Sequence, residues 1–201
     1  MKLVLASNNK HKIEEIKSIL SKNGIDAEVL SLSEIGYTDE IIEDGVSFEE
    51  NALIKAKTVA ALGYIGIADD SGLCVDALGG APGIYSARYA GEPCDHAKNN
   101  EKILSALHGK KGSERSAAFV SVIACVMPDG SYFTVRGECP GEMLEALQGN
   151  GGFGYDPLFR PTGYPLTFAE LSFDEKNKIS HRAKALVAFA KRFPSFMKEH
   201  T

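Results

Sequence analysis

Hydrophobic and polar positions follow two different periods along this chain, which predicts strands and helices in alternation. Residues 3–6 form a short, continuous apolar run, as in a buried strand, and residues 27–32 predict a second strand. Between them, apolar side chains recur at helical spacing, which predicts an amphipathic helix over residues 10–22 that ends at Gly24. The apolar positions of this helix are Ile13, Ile16, Ile19 and Leu20.

A capping box marks the next helix. Ser47 and Glu50 have the spacing of this motif, and the helix that they open is expected to reach Ala60. The apolar run at residues 65–68 then predicts a strand, and the polar residues 69–72 predict its end.

The middle of the chain predicts one more helix and a hairpin. Asp95 is a typical N-cap, so a helix is expected to run from it to Leu107. Residues 116–127 and 131–138 have strand character and flank the turn residues 128–130, which predicts a β-hairpin. The mixture of strands, crossover helices and a hairpin indicates an α/β fold with a mixed sheet.

The segment after the hairpin is ambiguous. Residues 141–147 have helical propensity, but Pro140 and the strand before it leave an extended conformation open. Residues 149–154 are rich in glycine and predict a loop.

The last helix also opens with a capping box. Ser172 and Glu175 form that motif, and the helix is expected to stop before Pro194 because proline disrupts a helix interior. A break of this helix near Ser180 stays open.

Composition and charge limit the classes of function. The 201 residues suffice for one domain, or for one domain with two lobes. The net charge of -5 argues against a nucleic acid polymer as partner, but a local pocket for a small anion is compatible with it. The four cysteines form no C-x-x-C pair and are expected to be reduced. No apolar run suits a signal peptide or a membrane span, so we expect a cytoplasmic protein without a membrane partner.

The first candidate for chemistry is Ser7-Asn8-Asn9-Lys10-His11-Lys12, where a strand runs into a helix. A helix N-terminus presents unpaired backbone N–H groups, which suit an anion. Lysines in a first turn oppose the helix dipole, and a bound polyphosphate would reverse that effect and be neutralised by Lys12. A plain solvated helix start explains the same residues, and the motif alone leaves both interpretations open.

The second candidate is the carboxylate pair Asp69 and Asp70, followed by Ser71-Gly72. Carboxylates suit Mg²⁺, which takes few protein oxygens, and one of them can also accept a proton from an attacking water. Neighbouring strand residues point to opposite faces, so we expect one of the two to face a given site. From the acidic residues 39–44 we choose Glu43 as a further metal ligand. A polar turn and a solvated acidic loop are the alternative interpretations.

The third candidate is Gly151-Gly152-Phe153-Gly154-Tyr155-Asp156-Pro157. A purine can stack on Phe153, because the flanking glycines shield the ring little. Asp156 can accept hydrogen bonds from a base or a ribose. A tight loop whose phenylalanine returns to the core is the alternative.

The fourth candidate is the basic segment from Lys176 to Arg182, whose charges cannot all share one helical face. His181 and Arg182 can donate hydrogen bonds to a carbonyl group. A 6-oxo purine offers that acceptor, whereas adenine presents an amino group and would leave the donors unpaired. A basic helix surface is the alternative.

Taken in this order, the motifs resemble the inosine triphosphate pyrophosphatase family over essentially the whole chain. The segments that carry the resemblance are 47–52 (SFEENA), 67–73 (IADDSGL), 79–89 (GGAPGIYSARY), 152–157 (GFGYDP) and 179–182 (ISHR). Each segment is weak alone, but the ordered set is specific.

The resemblance implies an elongated mixed β-sheet with flanking helices and two lobes around a central cleft, a fold shared with Maf-like proteins. It implies a homodimer in which residues 1–201 form one two-lobed domain. The implied activity is hydrolysis of inosine and xanthosine triphosphates, including dITP, to the nucleoside monophosphate and pyrophosphate with Mg²⁺ as cofactor.

The resemblance also implies roles for single residues. Asp70 matches the catalytic acid and, with Asp69 and Glu43, the metal ligands, while Ser71 matches a substrate contact. The other implied substrate-binding residues are Ser7, Asn8, Asn9, Lys10, His11 and Lys12 for the phosphates, and Phe153, Gly154, Tyr155, Asp156, Lys176, His181 and Arg182 for the nucleoside.

Three other functions remain open at this point. They are a pyrophosphatase for modified pyrimidine triphosphates, a nucleotide-binding regulator without turnover, and an RNA-binding module. The net charge of -5 argues against the third.

Overall fold

A single mixed sheet runs through the computed structural model, which describes residues 1–200 apart from the side chain of His11. Its strands are β1 (Lys2–Leu5), β2 (Glu28–Ser31), β3 (Ile65–Val75), β4 (Ser116–Val126), β5 (Tyr132–Met143) and β6 (Phe159–Pro161). The order in the six-stranded sheet is β2-β1-β3-β4-β5-β6. Strand β1 is parallel to β2 and β3, whereas β5 and β6 are antiparallel. The predicted α/β fold with a mixed sheet and flanking helices is confirmed.

The first four α-helices begin where the sequence predicts them, and the last begins after the break near Ser180 that the sequence leaves open. They are α1 (Lys10–Lys22), α2 (Phe48–Ala60), α3 (His96–Ala106), α4 (Phe173–Ile179) and α5 (His181–His200). In four of them, the side chain of the N-cap residue accepts a hydrogen bond from a backbone N–H in the first turn. These N-caps are Asn9, Ser47, Asp95 and Ser172. Within residues 1–200, none of these helices combines the length and the apolar character that a membrane span requires.

Strand β3 is longer than its apolar pattern predicts. Residues 69–72 are polar and predict an end, yet the strand continues through them. Leu73 and Val75 are fully buried, so apolar packing resumes beyond the polar residues and keeps the chain extended. Asp69 and Asp70 consequently lie inside a strand, where adjacent side chains point to opposite faces.

The ambiguous segment at residues 141–147 is extended where it begins, since β5 runs through Pro140 and ends at Met143. The carbonyl of Pro140 accepts a hydrogen bond from the Thr162 N–H (3.0 Å), so the residue still contributes its acceptor to backbone pairing. Strand β6 has only three residues, too few for a hydrophobic period to reveal it.

The final helical region agrees with the sequence at one point and differs at another. Helices α4 and α5 are separated by Ser180, whose backbone is extended, so the break near this residue is present. The predicted stop before Pro194 is wrong, because α5 continues through it. Phe193 and Phe196 are almost fully buried, and their packing outweighs the roughly 3 kcal/mol that proline costs inside a helix.

The chain divides into two compact units. Unit 1 comprises Met1–Asp70, Ser121–Gly137 and the residues from Arg182 onward. Unit 2 comprises Ser71–Val120 and Glu138–His181. Strands β3, β4 and β5 each supply residues to both units.

Each unit has its own apolar core. In unit 1, β1 and helices α1 and α5 contribute buried side chains, and the rings of Phe133 and Phe196 meet edge to face with centroids 4.8 Å apart. In unit 2, the rings of Phe119, Phe159 and Phe168 form the centre, with centroids 4.8–5.7 Å apart. These aromatic contacts anchor the elements that carry the site residues.

Replacing Phe196 with alanine should destabilise the protein by about 3–5 kcal/mol, because the substitution leaves a cavity beyond Pro194. Phe173→Ala is the matched control, since Phe173 is 61% exposed and should change the free energy of unfolding little. Urea unfolding followed by circular dichroism measures both variants. Equal stability of the two variants would contradict the account of why α5 continues through Pro194.

Candidate active site

The first motif, residues 7–12, forms a tight turn that its own side chains hold. Ser7 Oγ accepts a hydrogen bond from the Asn9 N–H (3.1 Å). Asn9 Oδ1 accepts one from the Lys12 N–H (3.2 Å) and so caps α1. No acidic residue lies in the first turn of α1, so the helix N-terminus suits an anion.

The remaining residues of the first motif differ in what they contact. Asn8 Oδ1 accepts a hydrogen bond from the Ser33 N–H (2.9 Å), which ties the turn to the segment after β2. Lys10 is exposed. The side chain of His11 lies outside the described part of the chain.

Asp69 is buried and receives hydrogen bonds from three elements of unit 1. Its Oδ1 accepts from Ser121 Oγ of β4 (2.6 Å), and its Oδ2 accepts from Lys12 Nζ (2.8 Å) and Arg182 Nε (3.2 Å). Burial alone would raise the pKa of Asp69, but Arg182 and Lys12 hold it well below its usual value. Asp69 is therefore an ionised carboxylate that orients two cations.

Arg182, which the sequence predicts as a base contact, has its guanidinium buried in unit 1. Its Nη1 donates to Glu15 Oε2 (2.8 Å), in addition to its bond with Asp69. Burial alone would lower the pKa of Arg182, but Asp69 and Glu15 raise it. The neighbouring residue His181 belongs to unit 2, so the two predicted donors take part in different units.

Asp70 has a different environment from Asp69. Its Oδ1 accepts a hydrogen bond from Lys55 Nζ (2.8 Å), and the same ammonium group bonds Glu43 Oε2 (2.8 Å). The Oδ2 atom of Asp70 is buried and has no hydrogen-bond partner among the described residues. Burial raises the pKa of Asp70, although Lys55 opposes the shift. This oxygen is therefore available to a proton or to a cation.

Lys55 belongs to this site but is absent from the sequence-based prediction. Burial alone would lower the pKa of Lys55, yet Asp70 and Glu43 outweigh that effect and raise it. The sequence of α2 indicates that Lys55 is buried, because it shares a helix face with Ala52 and Val59. A lysine on such a face requires an acidic partner.

Two further members of the unit 1 network were also missed. Ser121 interrupts the apolar run of β4, and Glu15 is buried next to Ile16 of α1. A polar residue at a buried position indicates an internal partner, but the sequence does not say which one.

Asp70 and Glu43 fit a Mg²⁺ site, whereas both oxygens of Asp69 are engaged by protein donors. Mg²⁺ is usually held by one or two carboxylates together with waters and substrate phosphates. Within the described residues, no group of three or more His, Cys, Asp or Glu side chains could hold a metal. The buried Oδ2 of Asp70 is the feature that suits a cation. We therefore assign Asp69 to the ion pairs rather than to the metal.

In unit 2, Asp156 holds the aromatic loop (residues 151–156). Its Oδ2 accepts hydrogen bonds from the Phe153 N–H (2.9 Å) and from Lys176 Nζ (2.6 Å). A Cβ atom at Gly152 would lie 2.2 Å from the same oxygen, so this position requires glycine. The buried carboxylate thus supports the loop, where the sequence predicts a direct contact with base or ribose.

Phe153 projects from the aromatic loop and does not return to the core. Its side chain is 48% exposed. Lys176 Nζ lies 5.0 Å from the centroid of the Phe153 ring and 5.2 Å from that of Phe168. An exposed ring can stack on a base, and an adjacent ammonium group can donate hydrogen bonds to the carbonyl groups of that base.

Two other predicted nucleoside contacts are buried in unit 2. The hydroxyl of Tyr155 donates to the Ser86 carbonyl (2.8 Å), and burial raises the pKa of this phenol. The ring of His181 stacks on Phe119, with centroids 4.9 Å apart and an interplanar angle of 14°. Both side chains pack within the unit rather than projecting from it.

Ser71 and Gly154 complete the predicted set. Ser71 is half-buried and lies in β3, within unit 2. The carbonyl of Gly154 accepts a hydrogen bond from Asn100 Nδ2 (3.0 Å).

Residues 3–192 match the model of the Ham1 family. The chain belongs to the Ham1 family. This Ham1 family chain is 50% identical over 201 residues to the dITP/XTP pyrophosphatase of Leuconostoc mesenteroides, covering 98% of this chain and 99% of the relative. It is 50% identical over 189 residues to the dITP/XTP pyrophosphatase of Bacillus subtilis, covering 94% of each. The solved structure of the Staphylococcus aureus Ham1 protein matches with a TM-score of 0.89 and 41% identity, covering 97% of this chain and 99% of that one.

The comparisons confirm the family resemblance that the motifs predict. Within this Ham1 family member, eight of the predicted residues gather in two groups, one in each unit. Unit 1 brings together Lys12, Glu43, Asp69, Asp70 and Arg182. Unit 2 brings together Phe153, Asp156 and Lys176.

Replacing Arg182 with methionine should lower the free energy of unfolding by about 3–5 kcal/mol, because two buried carboxylates lose their shared cation. The control is Arg160→Met, which removes an exposed ion pair with Glu142 (2.8 Å) and should cost less than about 1 kcal/mol. Guanidinium chloride titrations measure both variants. An Arg182 variant as stable as the control would show that the residue is not a structural anchor.

Proposed function

We propose that this chain hydrolyses deaminated purine nucleoside triphosphates (ITP, dITP and XTP) to the nucleoside monophosphate and pyrophosphate. Relatives with half of their residues identical carry the name dITP/XTP pyrophosphatase, which supports this assignment. The observation that carries it is Asp70, a buried carboxylate whose Oδ1 is fixed by Lys55 and whose Oδ2 has no partner in the described chain.

The amino-terminal end of α1 is suited to the polyphosphate. Lys12 Nζ has three N–H donors, and its bonds to Asp69 Oδ2 (2.8 Å) and the Asp69 carbonyl (3.4 Å) use two of them. The side chain of Lys12 is 21% exposed, so the third donor can serve a phosphate oxygen. Lys10 and the free N–H groups of the first turn add positive potential.

Asp70 accepts the proton of the attacking water in this mechanism. Lys55 anchors Oδ1 and thereby fixes the orientation of Oδ2. Burial raises the pKa of Asp70, which makes the carboxylate a stronger proton acceptor. Asp70 and Glu43 would hold Mg²⁺, which offsets the negative charge of the phosphates when bound.

Base selection depends on Phe153 and its neighbour in unit 2. The exposed ring provides a stacking surface, and Lys176 lies next to it as a hydrogen-bond donor. A 6-oxo purine presents a carbonyl acceptor to a donor of this kind, whereas adenine presents an amino group. We assign to Lys176 the donor role that the sequence predicts for Arg182, because the Arg182 guanidinium is bound by two carboxylates. Two further parts of the proposal are the homodimer that the resemblance implies and the cytoplasmic location that the sequence analysis expects.

A substrate panel tests the proposed function. With Mg²⁺ present, we expect pyrophosphate release from ITP, dITP and XTP to exceed that from ATP by about 10⁴-fold in kcat/KM, because adenine leaves a donor unpaired. Pyrophosphate and orthophosphate are measured separately. Orthophosphate as the first product would refute the bond assignment. Preference for modified pyrimidines would indicate the alternative pyrophosphatase, and binding of ITP without turnover would indicate a regulator.

Replacing Asp70 with asparagine should lower kcat at least about 100-fold, because the amide cannot accept the proton of water. Binding of inosine monophosphate, measured by calorimetry, should change little. Asp26→Asn is the control, since Asp26 is exposed and lies away from the described site contacts. Unchanged turnover in the Asp70 variant would remove this carboxylate from catalysis.

A further inference from the structure

Helix α3 carries two adjacent asparagines, Asn99 and Asn100, on its buried face. Their exposed fractions are 2% and 6%. The same face continues with Ile103 and Leu107, which belong to the apolar core of unit 2. Two amides thus occupy positions where the helical period places apolar side chains.

The first of these amides is explained by the backbone groups that it satisfies. Asn99 Oδ1 accepts a hydrogen bond from the Ala90 N–H (2.7 Å). Its Nδ2 donates to the carbonyls of Ala87 (3.0 Å) and Ser86 (3.4 Å). The oxygen and the nitrogen of the Asn99 amide both have hydrogen-bond partners. The need to hold residues 86–90 therefore explains why an asparagine is buried at this position.

The second amide is not explained in that way. Asn100 Nδ2 donates to the Gly154 carbonyl (3.0 Å), but Oδ1 is buried without a hydrogen-bond partner among the described residues. A buried acceptor without a partner lowers the free energy of unfolding. Leucine has nearly the same shape, and it would remove the unsatisfied Oδ1 but also the donor that the Gly154 carbonyl receives, so stability alone does not require asparagine here.

Gly154 is where Asn100 meets the aromatic loop. The backbone of this loop is held at the Gly151 N–H by the Ala169 carbonyl (3.1 Å), and at the Phe153 N–H by Asp156 Oδ2 (2.9 Å). The bond from Asn100 adds a restraint on the other side of Phe153. The backbone around Phe153 is therefore fixed, while the residue as a whole stays 48% exposed.

We propose that Asn100 is a positioning residue that holds the Gly154 carbonyl so that the Phe153 ring is oriented for stacking on a purine. This inference rests on the proposed function. Because Asn100 acts through the loop, its loss would increase the disorder that a bound nucleotide must remove. The effect belongs to nucleotide binding and not to the chemical step.

Asn100→Leu separates this role from a structural one. We expect KM for inosine triphosphate to rise about five- to tenfold, as for the loss of one hydrogen bond, with kcat nearly unchanged. The urea midpoint should change little, because removal of the unsatisfied acceptor offsets the loss of the bond to the Gly154 carbonyl. A purely structural Asn100 would give the opposite pattern, with a lower midpoint and an unchanged KM, and that result would overturn the proposal.

Asn99→Leu is the matched control on the same helix face. This variant loses bonds at both ends of the amide, so its urea midpoint should fall clearly below that of the wild type. An Asn100 variant that loses as much stability as the Asn99 variant, with no rise in KM, would assign both residues to packing.

A double-mutant cycle with Phe153→Ala tests whether Asn100 acts through the ring. In the Phe153→Ala background, Asn100→Leu should change KM by less than about twofold, because the group that it positions is gone. An undiminished effect in that background would refute the proposed route through Phe153.

Equilibrium dialysis with inosine monophosphate distinguishes failure of this inference from failure of the proposed function. We expect Asn100→Leu to raise the dissociation constant about five- to tenfold. A wild-type chain that binds the monophosphate but releases no pyrophosphate would refute the proposed function alone, and the Asn100 comparison would still decide the inference. Equal binding by wild type and variant, or no binding by the wild type, would overturn the inference.

Discussion

The buried carboxylate of Asp69 is the interaction on which the unit 1 site depends. A charge in a fully buried position is stable only when cations and hydrogen-bond donors surround it. Ser121, Lys12 and Arg182 supply these groups from β4, α1 and α5, so one side chain joins three elements to strand β3. The start of α1, where we propose that the polyphosphate binds, is thereby fixed relative to the strand that carries Asp70.

Alternation along a strand gives the two neighbouring carboxylates different tasks. Asp69 points to one face of β3 and is saturated by donors, whereas Asp70 points to the other and keeps one oxygen without a partner. Burial raises the pKa of both carboxyl groups. For Asp69 the bonds to Arg182 and Lys12 outweigh burial and lower the pKa, whereas for Asp70 burial prevails and the pKa stays raised. Lys55 opposes the rise for Asp70 and instead fixes its orientation, because its ammonium group lies 2.8 Å from an oxygen of Asp70 and 2.8 Å from one of Glu43.

Much of the fold was predictable because local chemistry determines where its elements begin. Capping side chains such as Ser47 and Ser172 satisfy N–H groups within a few residues, and the sequence shows that relation directly. The continuation of β3 through residues 69–72 and of α5 through Pro194 was not predictable, since both depend on packing against distant side chains. The same limit applies to the site: the motifs predict roles for Asp70 and Phe153, but the partners that orient these residues come from other elements.

The missed partners share a property that the sequence does contain. Lys55 in α2, Ser121 in β4 and Asn100 in α3 are polar residues at positions where the surrounding period is apolar. Each violates a local rule and is buried, so each must either find an internal partner or lower the stability of the fold. Lys55 and Ser121 reach the carboxylates of the unit 1 site, and Asn100 reaches the loop that carries Phe153. These three polar interruptions of an apolar face support the site although no motif includes them, whereas Asn99 on the face of Asn100 supports residues 86–90.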